Sequence, residues 1–174
     1  WSERQPVPES WATSQEVPTI YRVVDARGVR RLIMFSGLYP VRMAVSEDDG
    51  YTWSELTPIG DFGGIVAMAD VVAVGDQPGH YMALFHDDGR YLRNAGRVTR
   101  FQVYKTLSSD GGLTWSQPIP IAEHPEAHLS EPGAVRSPDG RELAVLLREN
   151  SRKLNSFVIF SRDEGRTWTK PIEL

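Results

Sequence analysis

The 174-residue chain carries 19 basic and 23 acidic side chains, a net charge of −4 and 40% hydrophobic residues. This composition lacks the basic surface expected of a nucleic-acid-binding protein, and no apolar run reaches the roughly 20 residues that cross a membrane. Because cysteine is absent, disulfides, thiolate metal sites and a thiol nucleophile are excluded.

The first third of the chain predicts three strands that lead into a polar turn. Ile20–Val24 and Arg31–Phe35 flank a turn at 25–28, and Arg42–Val45 precedes the stretch Ser46-Glu47-Asp48-Asp49-Gly50-Tyr51-Thr52-Trp53. A strand after this stretch would complete a unit of four.

The same order returns twice further along the chain. The second unit predicts strands at Ile65–Val74, His80–Phe85 and Phe101–Leu107, and the third at Gly133–Arg136, Glu142–Leu147 and Ser156–Phe160. Several of these runs are apolar on both faces, which is typical of strands covered on both sides. Helical periodicity does not persist, and 12 Pro and 15 Gly interrupt the chain throughout. The sequence therefore predicts an all-β protein.

A turn motif, S-x-D-x-G-x-T-W, closes the third predicted strand of every unit and begins at residues 46, 108 and 161. Its Ser and Asp oxygens can bond nearby backbone N–H groups, Gly supplies a positive φ, Thr restarts a strand, and Trp can pin one unit to the next while its N–H finds a partner. The repeated residues are Ser46, Asp48, Gly50 and Trp53, then Ser108, Asp110, Gly112 and Trp115, then Ser161, Asp163, Gly165 and Trp168. A calcium loop is the alternative, but the further acidic ligands and closing Glu are lacking, so we favour a structural turn without metal.

This motif is the Asp-box, or bacterial neuraminidase repeat, and the chain resembles the sialidase superfamily of β-propellers. The resemblance implies an all-β propeller with about three four-stranded blades, half of a six-bladed ring, in one partial domain with units near 1–58, 59–120 and 121–174. In that superfamily the box lies away from the active site, so its Asp residues are expected to be structural.

The dipeptide Trp1-Ser2 repeats the end of a box, as in Trp53-Ser54 and Trp115-Ser116. We interpret it as the remainder of an earlier box, so that the chain spans three box-to-box units. The remaining blades are expected from a longer parent chain or from a second copy related by a two-fold axis.

The stretch from Glu131-Pro132-Gly133 to Arg148 resembles the sialidase segment that supplies two active-site residues. By that resemblance, Glu131 pairs with a catalytic Tyr, and Arg148 is one of three arginines that clasp the substrate carboxylate. Glu131-Pro132 is expected just before the first strand of its unit. The alternative is that Glu131 and Arg148 form a structural salt bridge.

Other polar residues are expected near the same strand ends. His86 and Asn150 are candidates for substrate binding, and Asp87 or Asp88 for a general acid, although a polar turn closed by Gly89 is the favoured alternative for the two acids. Sialidases open with an Arg-Ile-Pro motif, and the nearest match, Tyr21-Arg22-Val23-Val24, lacks the Pro, so Arg22 is a weak candidate for anion binding. His124 and His128 suggest a zinc site, but they lie in a Pro-containing loop and a loop role is favoured.

The sequence thus predicts a sialidase-like glycoside hydrolase acting on terminal sialic-acid-like sugars, with a glycan as ligand and no metal or organic cofactor, nucleic acid or membrane partner. The nucleophilic Tyr and the third Arg are expected in blades outside this chain. The alternatives are a non-catalytic carbohydrate-binding or scaffolding propeller, and a hydrolase for another acidic sugar. A secreted or periplasmic bacterial location is expected.

Overall fold

The computed structural model describes residues 3–37, 39–64, 68–93 and 95–174, and its regular structure is almost entirely β. A 3₁₀ helix, Glu9–Thr13, precedes the first sheet. The first sheet contains β1 (Thr19–Val24), β2 (Arg30–Ser36), β3 (Arg42–Ser46) and β4 (Thr57–Pro58). The second contains β5 (Asp70–Ala73), β6 (Tyr81–Asp87), β7 (Gln102–Ser108) and β8 (Ile119–Ala122). The third contains β9 (Leu129–Arg136), β10 (Leu143–Glu149), β11 (Phe157–Ser161) and β12 (Ile172–Glu173).

Each sheet is an antiparallel meander of four strands in chain order. The prediction of an all-β propeller with three four-stranded blades is confirmed. In the part of the chain that the structure describes, no helix is long and apolar enough to cross a membrane.

Some element boundaries differ from those predicted. The strand expected at Ile65–Val74 is described only as β5, since residues 65–67, like Trp1-Ser2, lie outside the described residues. The strand expected to begin at Gly133 begins at Leu129 instead, so Glu131 and Pro132 lie inside β9 rather than before it. The strand accommodates Pro132 through an irregularity in its register with β10.

Two apolar layers hold the blades together. Between the first two sheets, Val23, Ile33 and Phe35 pack with Ala83 and Phe85. Between the second and third, Met82 and Leu84 pack with Leu143, Val145 and Ile159 from the facing sheet. Burying a side chain of this size contributes about 1.5–3 kcal/mol, so these layers dominate the stability.

Strand burial follows the position of each blade. In β6 both faces are buried, because sheets pack on each side of it. In β10, Leu146 is 50% exposed, although the sequence predicted that this run is covered on both faces. One face of the third sheet is therefore uncovered in this chain.

The three boxes have nearly the same geometry. The Ser hydroxyl donates to the Asp Oδ1 at 2.8 Å in every box. The Gly N–H donates to the Ser Oγ at 2.8–2.9 Å, and the Thr hydroxyl donates to the Asp Oδ2 at 2.5–2.6 Å. These bonds satisfy the backbone of the turn locally, as the sequence predicted.

The second and third boxes also contact the blade before them. Gly112 of the second box lies against Val23 and Ile33 of the first sheet, and Gly165 of the third box lies against Met82 of the second. The boxes lie at one set of strand ends, which we call the box edge of the sheets. The opposite set of strand ends, where β2, β6 and β10 finish, is called the rim edge.

The box tryptophans differ in the bonding of their indole N–H. Trp53 donates to the Gly50 carbonyl at 3.1 Å. Among the described residues, the buried N–H groups of Trp115 and Trp168 have no partner, contrary to the sequence-based expectation. In the third box the equivalent carbonyl, that of Gly165, instead accepts a bond from the buried ammonium of Lys105, and burial lowers the pKa of that lysine.

Candidate functional site

Arg148 and Glu131 form a charged pair at the rim edge of the third sheet. Arg148 lies one residue before the end of β10, and its Nη1 lies 2.5 Å from Oε1 of Glu131 on β9. Both side chains remain accessible, with 43% and 44% exposure. The two residues that the sequence placed together are thus in contact, and the guanidinium keeps further N–H donors for a ligand.

Glu131 sits in a β-bulge. The register pairs Leu146 with Gly133 and Arg148 with Ser130, so Glu131 and Pro132 together face Leu147. The φ of Glu131 is +46°, which costs a residue with a side chain on the order of 1–3 kcal/mol. A bulge re-aims side chains, and this one directs the carboxylate of Glu131 to Arg148.

His86, near the end of β6, supports this strained position from the neighbouring blade. The Glu131 N–H donates to His86 Nδ1 at 3.2 Å, which places the imidazole proton on Nε2. The ring is buried and stacks on Phe101 with a centroid distance of 5.6 Å. Burial lowers the pKa of His86 to about 4, with Asp88 opposing the shift and Arg148 adding to it. The imidazole is therefore neutral and faces the Glu131 backbone; its predicted role in binding substrate stays a prediction.

Asp87 and Asp88 are buried and bond to the loop that follows them. Asp87 Oδ2 accepts the Gly89 N–H at 2.8 Å, and Asp88 Oδ2 lies 2.7 Å from Nε of Arg90. Burial raises the pKa of Asp87, against the bond from Gly89. This geometry is that of the polar turn closed by Gly89, and the general-acid role of either residue stays a prediction.

Arg22 is not brought to this site. In the register it aligns with Leu32 and, through it, with Ser46 of the first box, so it lies towards the box edge. Its guanidinium pairs there with Asp49 at 2.5 Å. Asn150 follows Glu149 at the rim edge, its N–H donating to the His128 carbonyl at 2.9 Å, and its side chain is exposed.

Glu149 is a rim residue that the sequence did not single out. It is buried, and its carboxylate accepts N–H bonds from His128 at 2.9 Å, Ser151 at 3.1 Å and Lys153 at 3.1 Å. Burial alone would raise its pKa, but these donors outweigh it and lower the pKa to about 2. Glu149 thus fixes both the loop after β10 and the segment before β9. The signal was the alternation of β10, in which Glu149 falls on the same face as buried Leu147.

The two loop histidines do not form a metal site in the described geometry. His124 Nδ1 accepts backbone N–H bonds from Glu126 at 3.2 Å and Ala127 at 3.0 Å, so it closes its own turn. Among the residues that the structure describes, no three His, Asp or Glu side chains lie close enough to hold a metal ion.

Solved structures with a similar fold come from several kinds of protein. The intramolecular trans-sialidase of Ruminococcus gnavus is 20% identical with a TM-score of 0.56, over 81% of this chain and 27% of that one. A protein of unknown function from Dyadobacter fermentans is 14% identical with a TM-score of 0.62, over 88% of this chain and 50% of that one. The GH93 α-L-arabinofuranosidase of Fusarium graminearum is 13% identical with a TM-score of 0.60, over 87% and 48%. The chain therefore spans half or less of the length of these structures.

A search of curated proteins found no match. The family model described as BNR repeat-like domain matches residues 1–174, which is the whole chain. This match agrees with the three Asp-boxes and with the three four-stranded sheets that they close. The chain belongs to the BNR repeat-like domain family.

Proposed function

We propose that this chain is part of a sialidase-like glycoside hydrolase that removes terminal sialic-acid-like sugars. Arg148 would bind the substrate carboxylate, and Glu131 would take the proton of a Tyr nucleophile supplied by blades outside this chain. The fold it shares with a trans-sialidase and an arabinofuranosidase supports a glycoside hydrolase. We place the protein outside the cytoplasm, where such glycans are found.

The observation that carries this proposal is the exposed Arg148–Glu131 pair on a strained bulge. A purely structural ion pair needs no residue at φ +46° and no imidazole behind its backbone. Strain of this kind persists where the surrounding structure holds a functional group in place. A guanidinium at an open edge can grip a carboxylate through two parallel charge-assisted bonds.

The test is hydrolysis of an aryl sialoside by the full-length protein that contains this chain. Arg148→Ala should lower kcat/KM about a hundredfold, since it removes charge-assisted hydrogen bonds to the substrate carboxylate that contribute about 2.7 kcal/mol. Arg162→Ala is the matched control, because Arg162 is an exposed arginine paired with Glu142 at the other edge. Unchanged activity in Arg148→Ala would refute the role of that residue.

A non-catalytic carbohydrate-binding propeller is the second candidate. The observation in its favour is that both candidate acids, Asp87 and Asp88, are buried and bonded to their own loop. A glycan array with the full-length protein separates the two: saturable binding without turnover supports the binding protein, and turnover excludes it. Turnover of another acidic sugar but not of a sialoside would keep the hydrolase and change its substrate.

A further inference from the structure

The loop between β6 and β7 concentrates positive charge in an acidic protein. Arg90, Arg93, Arg97 and Arg100 lie within 11 consecutive residues of a chain whose net charge is −4. Among the described residues, Arg90 is the member of this group that pairs with a carboxylate, that of Asp88. The other three are exposed.

Two of these arginines line a cleft between the second and third blades. Arg93 and Arg100 stand on one side and Lys170, just before β12, on the other, around a volume of about 770 Å³. Three cations from two blades thus face one space. Glu123 is the carboxylate in the lining, and it already accepts a bond from the Gln102 amide at 3.1 Å.

The cleft also offers the contacts that a sugar ring needs. Beside it, the Tyr104 hydroxyl donates to the side-chain oxygen Oε1 of Gln102 at 2.6 Å, and Nε2 of the same Gln102 side chain donates to Glu123. Phe101 adds an aromatic wall, and its ring stacks on His86 and meets His128 edge-on at 4.8 Å. Aromatic faces bind the apolar face of a sugar, while guanidinium groups bind its anionic substituent.

We propose that this cleft binds an anionic saccharide unit, a sugar ring that carries a carboxylate or a sulfate ester. Arg100 and Lys170 would contact the anionic group, with Arg93 beside them, and Phe101 would pack against the ring. The volume is within the range of about 300–1,000 Å³ that small-molecule sites occupy. Neither Arg148 nor Glu131 lines this cleft. The proposal rests on no step of the proposed hydrolysis.

The experiment is a calorimetric titration with four probes, performed on the full-length protein carrying Arg148→Ala so that binding and turnover of sialyllactose at the proposed hydrolytic site do not mask binding at the cleft. The probes are sialyllactose, a sulfated disaccharide, lactose as the neutral sugar, and inorganic sulfate. The key variant is Arg100→Glu combined with Lys170→Glu. The matched control is Arg97→Glu, which reverses an exposed charge in the same loop but outside the cleft lining. Each variant is checked for an unchanged unfolding temperature. Turnover of the aryl sialoside is measured on the same cleft variants in the wild-type background.

We expect at least one of the two anionic sugars to bind at least tenfold more tightly than lactose and inorganic sulfate. The double variant should lose that binding at least tenfold while Arg97→Glu retains it, and turnover of a small aryl sialoside should be the same in both. The identity of the sugar that binds shows whether the cleft recognises a carboxylate or a sulfate ester. Equal binding of lactose or of inorganic sulfate, no binding of either anionic sugar, or equal losses in both variants would overturn the proposal.

Should the double variant unfold, the single variants Arg100→Gln and Lys170→Gln replace it, each with a smaller expected loss and the same control, Arg97→Gln. Raising the salt concentration provides an independent readout, because contacts between exposed charges weaken as they are screened. Binding that is insensitive to salt would also count against the proposed cation contacts.

Discussion

The box edge and the rim edge of the same three sheets are built in opposite ways. At the box edge, the Ser–Asp bond has the same length of 2.8 Å in all three blades. At the rim edge, no two described blades end alike: β2 ends at Ser36, β6 at His86-Asp87 and β10 at Arg148-Glu149. Repeated residues therefore build the scaffold, and residues that occur once place the candidate chemistry. Changes at the box edge should reduce stability alone, and changes to the exposed Arg148–Glu131 pair at the rim edge should alter binding.

The largest effect is expected from Gly111→Ala in the second box. Gly111 has a φ of +80°, and an added Cβ would lie 2.7 Å from Asp25 Cβ and 2.9 Å from its Cα. Backbone strain and overpacking together should cost about 2–4 kcal/mol. Urea unfolding of the wild type and the variant measures the loss.

The matched control is Asp49→Gly at the same position of the first box. Asp49 already has a φ of +58°, so glycine removes strain while the exposed pair with Arg22 is lost. We expect a change within about 0.5 kcal/mol. Equal losses in the two variants would show that the close contact with the first blade does not distinguish the boxes.

A smaller loss, about 1–2 kcal/mol, is expected from Asp110→Ala. The Asp110 carboxylate binds Ser108, Leu113 and Thr114 within the second box, so its removal leaves turn donors without partners. Glycan binding by the full-length protein should be unchanged. Unfolding that is unaffected together with lost binding would refute the structural role of the boxes.

The loss of stability at low pH can be compared between the two edges, because each edge has a carboxyl group with a lowered pKa. Glu149 at the rim edge and Asp163 at the box edge both have a pKa of about 2 in the folded protein, below their ordinary values of 4.5 and 3.8. In the unfolded chain they bind protons at higher pH, so their contribution to stability is present above about pH 4.5 and is lost as pH falls towards 2.

Glu149→Gln should therefore lower stability at pH 6 more than at pH 2.5, and Asp163→Asn should do the same. Unfolding free energies of the three proteins across this range provide the measurement. A Glu149→Gln variant with the same pH dependence as the wild type would mean that its backbone bonds do not hold the charged form.

The smallest effect is expected from Arg22→Ala. Its pair with Asp49 is exposed, with 50% and 69% of the side chains accessible, and such pairs contribute at most about 1 kcal/mol. Stability should change by less than about 0.5 kcal/mol and glycan affinity should be unchanged. A marked loss of glycan affinity would show that Arg22 contributes to glycan binding.

The boxes made the fold readable from the sequence because each one carries its own hydrogen-bond partners within eight residues. The Glu131–Arg148 pair was also accessible, through resemblance and hairpin spacing. The bulge could not be predicted from the sequence, because a positive φ at a glutamate has no local sequence pattern. The backbone N–H of Glu131 is also bound by His86, which lies in another blade.

The cleft could not be predicted from the sequence, for a related reason. Arg100 and Lys170 are far apart in the chain, and only the packing of the second blade against the third brings them to one space. The burial of Asp87 and Asp88 likewise follows from the path of the loop that covers them, which the pattern of residues does not determine.

Lys105 has a consequence for how the blades find their order. Three boxes of one design could each dock on the wrong neighbour, since the turn itself is nearly the same in all of them. The ammonium of Lys105 meets its acceptor, the Gly165 carbonyl, only when the third box sits on the second blade. In any other arrangement a buried cation would be left without that acceptor, which costs free energy. Lys105 thus favours docking of the third box, rather than another box, on the second blade.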